Sequence, residues 1–287
     1  MKTLGVALGG GGTRGLAHIG VLQVLAEANL LPDFISGTSA GSVIAALWAS
    51  GLSPYQLEEL ACRLNPEKYL DYNVSGFLRF LLGQILPGPE VTFDGIIKGN
   101  RIEKLIYQLT GGKTLAQASL PLAIIGCDID SGRMVIFTNR DIAIEDSRVI
   151  IVREALLSEA VRSSISIPAT FVPFWFQDMQ MVDGGLQSMV PVLVQRSLGA
   201  EYVLAVNLGK TGYEQPVKGL SEIISRTIDI LTYETSEMEE QLYADLIIYP
   251  QVGKIPVSEM QARAKEAIRI GRRAMRKSLD ELLVGVG

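Results

Sequence analysis

Two glycine-bearing turns, each set between an apolar strand-like run and a helical run, fix how this chain can begin to fold. Thr3 to Leu8 reads as a short buried strand, and Gly9 to Gly12 as a tight loop. Arg14 to Ala28 then carries apolar residues at helical spacing: Leu16, Ile19, Val21, Leu22, Val24 and Leu25. After Pro32, Asp33 to Ser36 is a second strand candidate, followed by the turn Gly37 to Gly41 and a helix from about Ala40 to Ser50 that Gly51 ends. A strand–loop–helix unit repeated at once predicts an α/β fold with a mainly parallel sheet.

The same alternation resumes further on. Pro121 to Cys127 and Met134 to Phe137 read as strands, joined as a hairpin through Asp130-Ser131-Gly132. The spacing predicts a helix over Ile150 to Ser163, stopped before Pro168, and a short strand Met179 to Val182 that runs into Asp183. Tyr202 to Leu208 and Leu246 to Tyr249 are further strands. Ser221 to Tyr243 and Ser258 to Leu283 are long helices. The apolar stretch Phe77 to Leu86, beside Pro87-Gly88-Pro89, is read as a core helix, with a flap over an apolar pocket as the alternative. With no internal repeat or linker, residues 1–197 and 198–287 are expected to be one domain.

Composition narrows the function. Of 287 residues, 48% are hydrophobic and 20% charged, which excludes a disordered chain. A formal net charge of −5 argues against a general nucleic-acid binder. The two cysteines, Cys62 and Cys127, have no metal-ligand spacing and are expected to be small buried hydrophobes. Neither a metal nor another cofactor is expected. The apolar run after Lys2 is broken by four glycines and Arg14, so no secretory signal is expected, and no run is long and apolar enough for a membrane span. A cytoplasmic protein is expected, with peripheral membrane contact left open. The terminal helix carries Lys265, Arg269, Arg272, Arg273, Arg276 and Lys277, a pattern that fits a solvated face better than a lipid-binding one.

The chemistry centres on Gly37-Thr38-Ser39-Ala40-Gly41, a G-x-S-x-G turn of the kind that exposes a nucleophilic serine between a strand and a helix. A serine hydroxyl needs a base to take its proton. The chain has one histidine, His18, placed on the glycine-loop helix with no acidic partner beside it, and it is read as structural. The base is then a carboxylate. Asp183, at a strand end with Gly184-Gly185 behind it, has the required setting, although Asp-Gly-Gly is also a common turn. An aspartate is a weak base in water, and burial beside a hydroxyl raises its basicity. The glycine loop admits three readings. As a dinucleotide fingerprint (Gly10, Gly12, Gly15) it lacks an acid at the end of the second strand, where the Ser39 turn stands instead. As a P-loop it lacks the Gly-Lys-Ser/Thr ending. As an oxyanion hole it has a nucleophile in the next turn, and this pairing gives the motif its weight.

Gly-Gly-Gly-x-Arg-Gly, Gly-Thr-Ser-Ala-Gly and Asp-Gly-Gly in this order resemble the patatin-like phospholipase family, in its bacterial, neuropathy-target-esterase-type branch. Leu16-Ala17-His18-Ile19-Gly20-Val21-Leu22, Ser164 to Pro168 and Val190-Pro191-Val192 extend the resemblance over about Val6 to Leu193. It implies a three-layer α/β/α fold and hydrolysis of lipid acyl esters by a Ser–Asp dyad, without a metal. Carried over residue by residue, Ser39 is the nucleophile, Asp183 the base, and the amides of Gly10, Gly11 and Gly12 the oxyanion hole, with Arg14 bracing the loop. Many relatives have asparagine where this chain has Ser188, which alters the hydrogen bonding behind the dyad. The expected substrate is a (lyso)phospholipid or related acyl ester. An acyltransferase with the same dyad and a non-catalytic lipid-binding protein are the alternatives. Head group, acyl length, sn-position and oligomeric state are not encoded in these motifs.

Overall fold

The computed structural model describes residues 1–83, 92–142, 144, 146–209 and 216–287. Among them, nine strands form one sheet: β1 (Leu4–Leu8), β2 (Phe34–Thr38), β3 (Leu122–Asp128), β4 (Arg133–Thr138), β5 (Val149–Val152), β6 (Phe174–Phe176), β7 (Met179–Asp183), β8 (Tyr202–Val206) and β9 (Leu246–Ile248). The helices are α1 (Leu16–Glu27), α2 (Ala40–Ala49), α3 (Pro54–Arg63), α4 (Val74–Gly83), α5 (Asn100–Leu109), α6 (Leu157–Ser164), α7 (Val192–Leu198), α8 (Gly219–Tyr243), α9 (Met260–Lys277) and α10 (Leu279–Val286). The sheet runs β5-β4-β3-β2-β1-β8-β9, with β7 on β3 and β6 on β7. Pairing is parallel across β3-β2-β1-β8-β9 and between β4 and β5. It is antiparallel where β3 meets β4 and β7 and where β6 meets β7.

Successive strand residues point to opposite faces, so a central strand must be apolar on both. In β1, Leu4, Val6 and Leu8 enter the larger core while Ala7 enters a second one. In β3, Leu122 and Ile124 face the larger core, and Ala123 and Ile125 the opposite side. The larger core is closed by α1, α2, α3, α6 and α9, and the other face is covered by α7 with α8 against it. The result is a three-layer α/β/α architecture with a mostly parallel sheet. Strands β8 and β9, from beyond residue 197, extend the same sheet.

Three expectations need correction. Residues Ile150 to Val152 belong to β5 and not to a helix. The β-branched run Val149–Val152 pairs with β4, and the helix begins only at Leu157. There the Glu159 carboxylate accepts the Leu156 N–H at 2.7 Å, satisfying a donor at the helix start. The terminal helix is split at Ser278 into α9 and α10. On α4, Phe77 and Leu78 are 48% and 56% exposed, so its described part is not a core helix. The rest of the apolar stretch, from residue 84 to 86, lies outside the described residues, as does Pro87-Gly88-Pro89.

Of the two cysteines expected to be buried, Cys127 is buried and Cys62 is only half-buried. On α9, Arg272 and Arg276 pair with Glu27 of α1 at 2.7 and 3.3 Å, so two of the six basic side chains serve helix packing. Ile124 is fully buried in the middle of the sheet. Ile124→Ala is expected to cost about 2–5 kcal/mol of unfolding free energy, measured by urea titration with an unchanged m-value.

Candidate active site

Strand β3 offers one edge to two partners in turn. Its residues Leu122 to Ile125 pair in parallel with β2, ending at Thr38 opposite Ile125. Its next residues, Gly126 to Asp128, pair antiparallel with β7, and Asp183 stands opposite Gly126. The C-terminal ends of β2 and β7 therefore meet head to head on neighbouring residues of one strand. Ser39 follows Thr38 directly, so the register alone brings Ser39 and Asp183 to the same junction. Both are nearly buried, at 6% and 7% exposure.

Ser39 takes φ 51° and ψ −121°, a conformation sparsely populated by non-glycine residues. It stands immediately before α2, and two further serines hold it. The Ser39 N–H donates to Ser164 Oγ at 2.9 Å, and the Ser42 hydroxyl donates to the Ser39 carbonyl at 2.6 Å. The chain can turn this tightly because Gly37 has no side chain, since a Cβ there would run into the Gly41 carbonyl group, and Gly41 lets α2 start against β1, since a Cβ there would run into the Leu8 carbonyl oxygen. Asp183 is anchored through its N–H, which donates to the Ser166 carbonyl at 2.9 Å, and its carboxylate accepts the Gly185 N–H at 2.8 Å. Thr38 Oγ1 donates to the Ser188 carbonyl at 2.8 Å, tying the ends of the two motifs together.

The glycine loop lies across this junction from β1. A Cβ on Gly10 would sit 3.3 Å from Ser39 Cβ and 2.6 Å from Met189 Sδ. The Gly10 N–H donates to the Met189 carbonyl at 3.0 Å. Gly11 and Gly12 open a short 3₁₀ turn, Gly12–Gly15, where the first N–H groups have no partner within the helix. Arg14 holds the loop from outside: Nε donates to the Gly11 carbonyl at 3.2 Å, and Nη1 to the carbonyls of Leu208 and Gly209 at 3.2 and 2.6 Å.

His18 is fully buried, and its Nε2 donates to the Gly9 carbonyl at 2.8 Å. Its Nδ1 is buried with no hydrogen-bond partner. Burial pushes its pKa down to about 4, against which the Gly9 hydrogen bond acts only in part. The ring is therefore neutral at pH 7, and neither nitrogen is hydrogen bonded to Ser39. Behind Asp183, the Ser188 hydroxyl donates to the Glu239 carboxylate at 3.1 Å. Burial raises the Glu239 pKa to about 7, opposed by hydrogen bonds from Leu193 N and Ser188.

The structure gives roles to three residues at and just beyond the end of α6: Arg162, which motif reading did not single out, and Ser164 and Ser166, which it included only within the Ser164 to Pro168 stretch. Their signal in the sequence is faint, a Ser163-Ser164-Ile165-Ser166 run whose hydroxyls are all buried. Among the described residues, no group of three or more His, Cys, Asp or Glu side chains is placed to hold a metal ion. No described helix is long and apolar enough to cross a membrane.

The family model described as patatin-like phospholipase matches residues 6–194, which include both glycine motifs and Asp183. An uncharacterised NTE family protein of Mycobacterium tuberculosis is 25% identical over 97% of this chain and 47% of its own length. The protein YqhO of Bacillus subtilis is 31% identical over 74% of this chain and 73% of its own. The lysophospholipase NTE1 of Coccidioides immitis is 27% identical over 78% of this chain and 13% of its own. The chain thus spans about half the length of the mycobacterial relatives it matches. Among solved structures, VipD from Legionella pneumophila aligns over 98% of this chain and 67% of its own with a TM-score of 0.55 at 15% identity, a likeness of fold.

The burial of His18 has a measurable consequence. With a folded pKa of about 4 and an unfolded value near 6.5, the unfolded state binds the extra proton between these values. The stability from keeping His18 neutral is present above pH 6.5 and is lost as pH falls towards 4. From pH 7 to pH 5 the loss should be about 2 kcal/mol. In urea titrations at the two pH values, His18→Gln should lack this increment. Parallel pH dependence of the two proteins would contradict the assignment.

Proposed function

This chain belongs to the patatin-like phospholipase family, in the NTE-type branch found in bacterial homologues, and on that premise we propose that it is a serine esterase of lipid acyl esters working through Ser39 and Asp183. The observation that carries the proposal is the junction on β3. There a serine in a strained strand-to-helix conformation stands end to end with a nearly buried aspartate, beside a glycine loop. The relative named a lysophospholipase supports an acyl ester of a lysophospholipid type as substrate.

The reaction follows from these positions. Ser39 Oγ attacks the acyl carbonyl carbon while its proton passes to the Asp183 carboxylate. The carbonyl π electrons move to oxygen, and the resulting oxyanion is stabilised by N–H groups of the loop. Because the Gly10 amide is engaged with Met189, the donors in this reading are Gly11 and Gly12, and Gly10 leaves room beside Ser39. Collapse of the intermediate expels the alcohol, which takes the proton back from Asp183. Water, deprotonated by the same carboxylate, then attacks the acyl-enzyme, and the fatty acid is released as Ser39 Oγ leaves and takes the proton back from Asp183. Arg14 acts as a positioning residue by fixing the Gly11 carbonyl, which orients the amides that follow it.

Ser39→Ala and Asp183→Asn should each lower kcat for a p-nitrophenyl acyl ester by about 10⁴-fold or more while retaining the wild-type fold by circular dichroism. Substantial turnover in a folded Asp183→Asn protein would remove Asp183 from the role of base.

A further inference from the structure

Just past the Asp-Gly-Gly turn, residues 188–191 touch all three motifs of the candidate site. The Met189 carbonyl accepts the Gly10 N–H of the glycine loop at 3.0 Å. The Ser188 carbonyl accepts Thr38 Oγ1, next to Ser39, at 2.8 Å. The Ser188 N–H donates to the Gly184 carbonyl at 3.0 Å, and the Pro191 carbonyl accepts the Ser36 hydroxyl at 3.2 Å. A shift of this segment would move the glycine loop, the nucleophile and the base relative to one another. A carboxylate of α8 holds it from the other side. Glu239 Oε2 accepts the Ser188 hydroxyl at 3.1 Å, and Oε1 accepts the Leu193 N–H at 3.3 Å, so Glu239 grips the segment near both ends. The other acceptor within reach of the Ser188 hydroxyl is the neutral Val190 carbonyl, at 3.4 Å. The adjacent Glu240 is fully buried and accepts Asn207 Nδ2 at 2.8 Å and the Ser236 hydroxyl at 2.6 Å, which fixes this turn of α8 against the end of β8.

We propose that Glu239 is a positioning residue of the esterase: its ionised carboxylate holds residues 188–193 in the place that aligns Ser39, Asp183 and the glycine loop. The inference rests on the esterase reading above. An ionised carboxylate accepts on both oxygens and makes stronger, charge-assisted hydrogen bonds; a protonated one carries a hydrogen on one oxygen and accepts weakly. Burial raises the Glu239 pKa to about 7, against the hydrogen bonds from Leu193 N and Ser188, and the Glu240 charge raises it further. Burial also raises the Glu240 pKa, with the Glu237 charge adding to it. Packed against α8 are α7 and the Asp-Gly-Gly turn. The charged residue of α7, Arg196, pairs with Asp245 at 2.6 Å, and Asp183 at the head of the turn accepts the Gly185 N–H. The grip of Glu239 therefore tightens as pH rises through about 7.

The test divides wild-type kcat by that of Glu239→Gln for a p-nitrophenyl acyl ester between pH 5.5 and 8.5, which cancels the ionisations the two proteins share. The quotient should be about ten at pH 8.5 and below about two at pH 5.5, with a midpoint near 7 and little change in KM. A merely structural role would lower activity alike at every pH. A quotient that stays near one, or that is constant with pH, overturns the proposal. If Glu239→Gln does not fold, Ser188→Ala decides in its place: it removes one donor and should show the same pH dependence at smaller amplitude, and a constant quotient overturns the proposal. Amide resonances of Gly10 and Leu193 in 15N-labelled protein report the link without turnover. Both should titrate with a midpoint near 7 in the wild type and lose that titration in Glu239→Gln, and no titration at Gly10 overturns the link. If the resonances titrate but the wild type cleaves no acyl ester, the esterase reading fails and the positioning role fails with it. If the wild type cleaves the ester and the quotient is flat, the esterase reading stands and this proposal alone fails.

Discussion

The shared edge of β3 is the constraint on which the rest depends. A strand that pairs in parallel with β2 and then antiparallel with β7 forces two chain ends to meet, because both partners occupy the same side of it. The register ends β2 at Thr38 and β7 at Asp183, on adjacent β3 residues. A slip of one residue in either ladder would turn Ser39 or Asp183 towards the other face of the sheet. The strain at Ser39, on the order of 1–3 kcal/mol for such a conformation, is held by fixed hydrogen bonds from Ser42 and to Ser164.

Polar groups buried around this junction act as fasteners. His18 secures Gly9 at the end of β1, Arg14 secures Gly11, and Thr38 secures the carbonyl of Ser188. Ser166 bridges the Asp183 backbone and the buried Arg162. An unpaired buried polar group costs about 1–3 kcal/mol, so each bond discourages alternative arrangements of the loops it joins. The orphaned Nδ1 of His18 fits the same logic: a neutral ring needs one donor bond here, and protonation would bury a charge with no acceptor.

Much of this was legible in the sequence because it is local. The glycine loop, the Ser39 turn and Asp-Gly-Gly each state their backbone requirement within a few residues. The alternation in β1 and β3 announces strands buried on both faces. The helical spacing around His18, with no acid beside it, marked the histidine as structural. What escaped depends on distant partners. Val149–Val152 carries a helix-compatible apolar pattern, and only the free edge of β4 makes it a strand. Phe77 and Leu78 look like core residues by composition but stand exposed on α4. Arg162 reads as a surface charge until the neighbouring carbonyls of Lys98 and Val172 are known to enclose it. The Gly10 amide matches a donor motif, yet Met189, far along the chain, takes it up.

Labelling with a fluorophosphonate, followed by intact mass and peptide mapping, tests the central claim most directly, because it reports activation of the serine without needing the natural substrate. A single adduct on Ser39 is expected in the wild-type protein and in folded His18→Gln, with a labelling rate at least about 100-fold lower in folded Asp183→Asn. Rapid labelling of Asp183→Asn together with loss of labelling in folded His18→Gln would contradict a serine activated by aspartate and would return the base to the histidine.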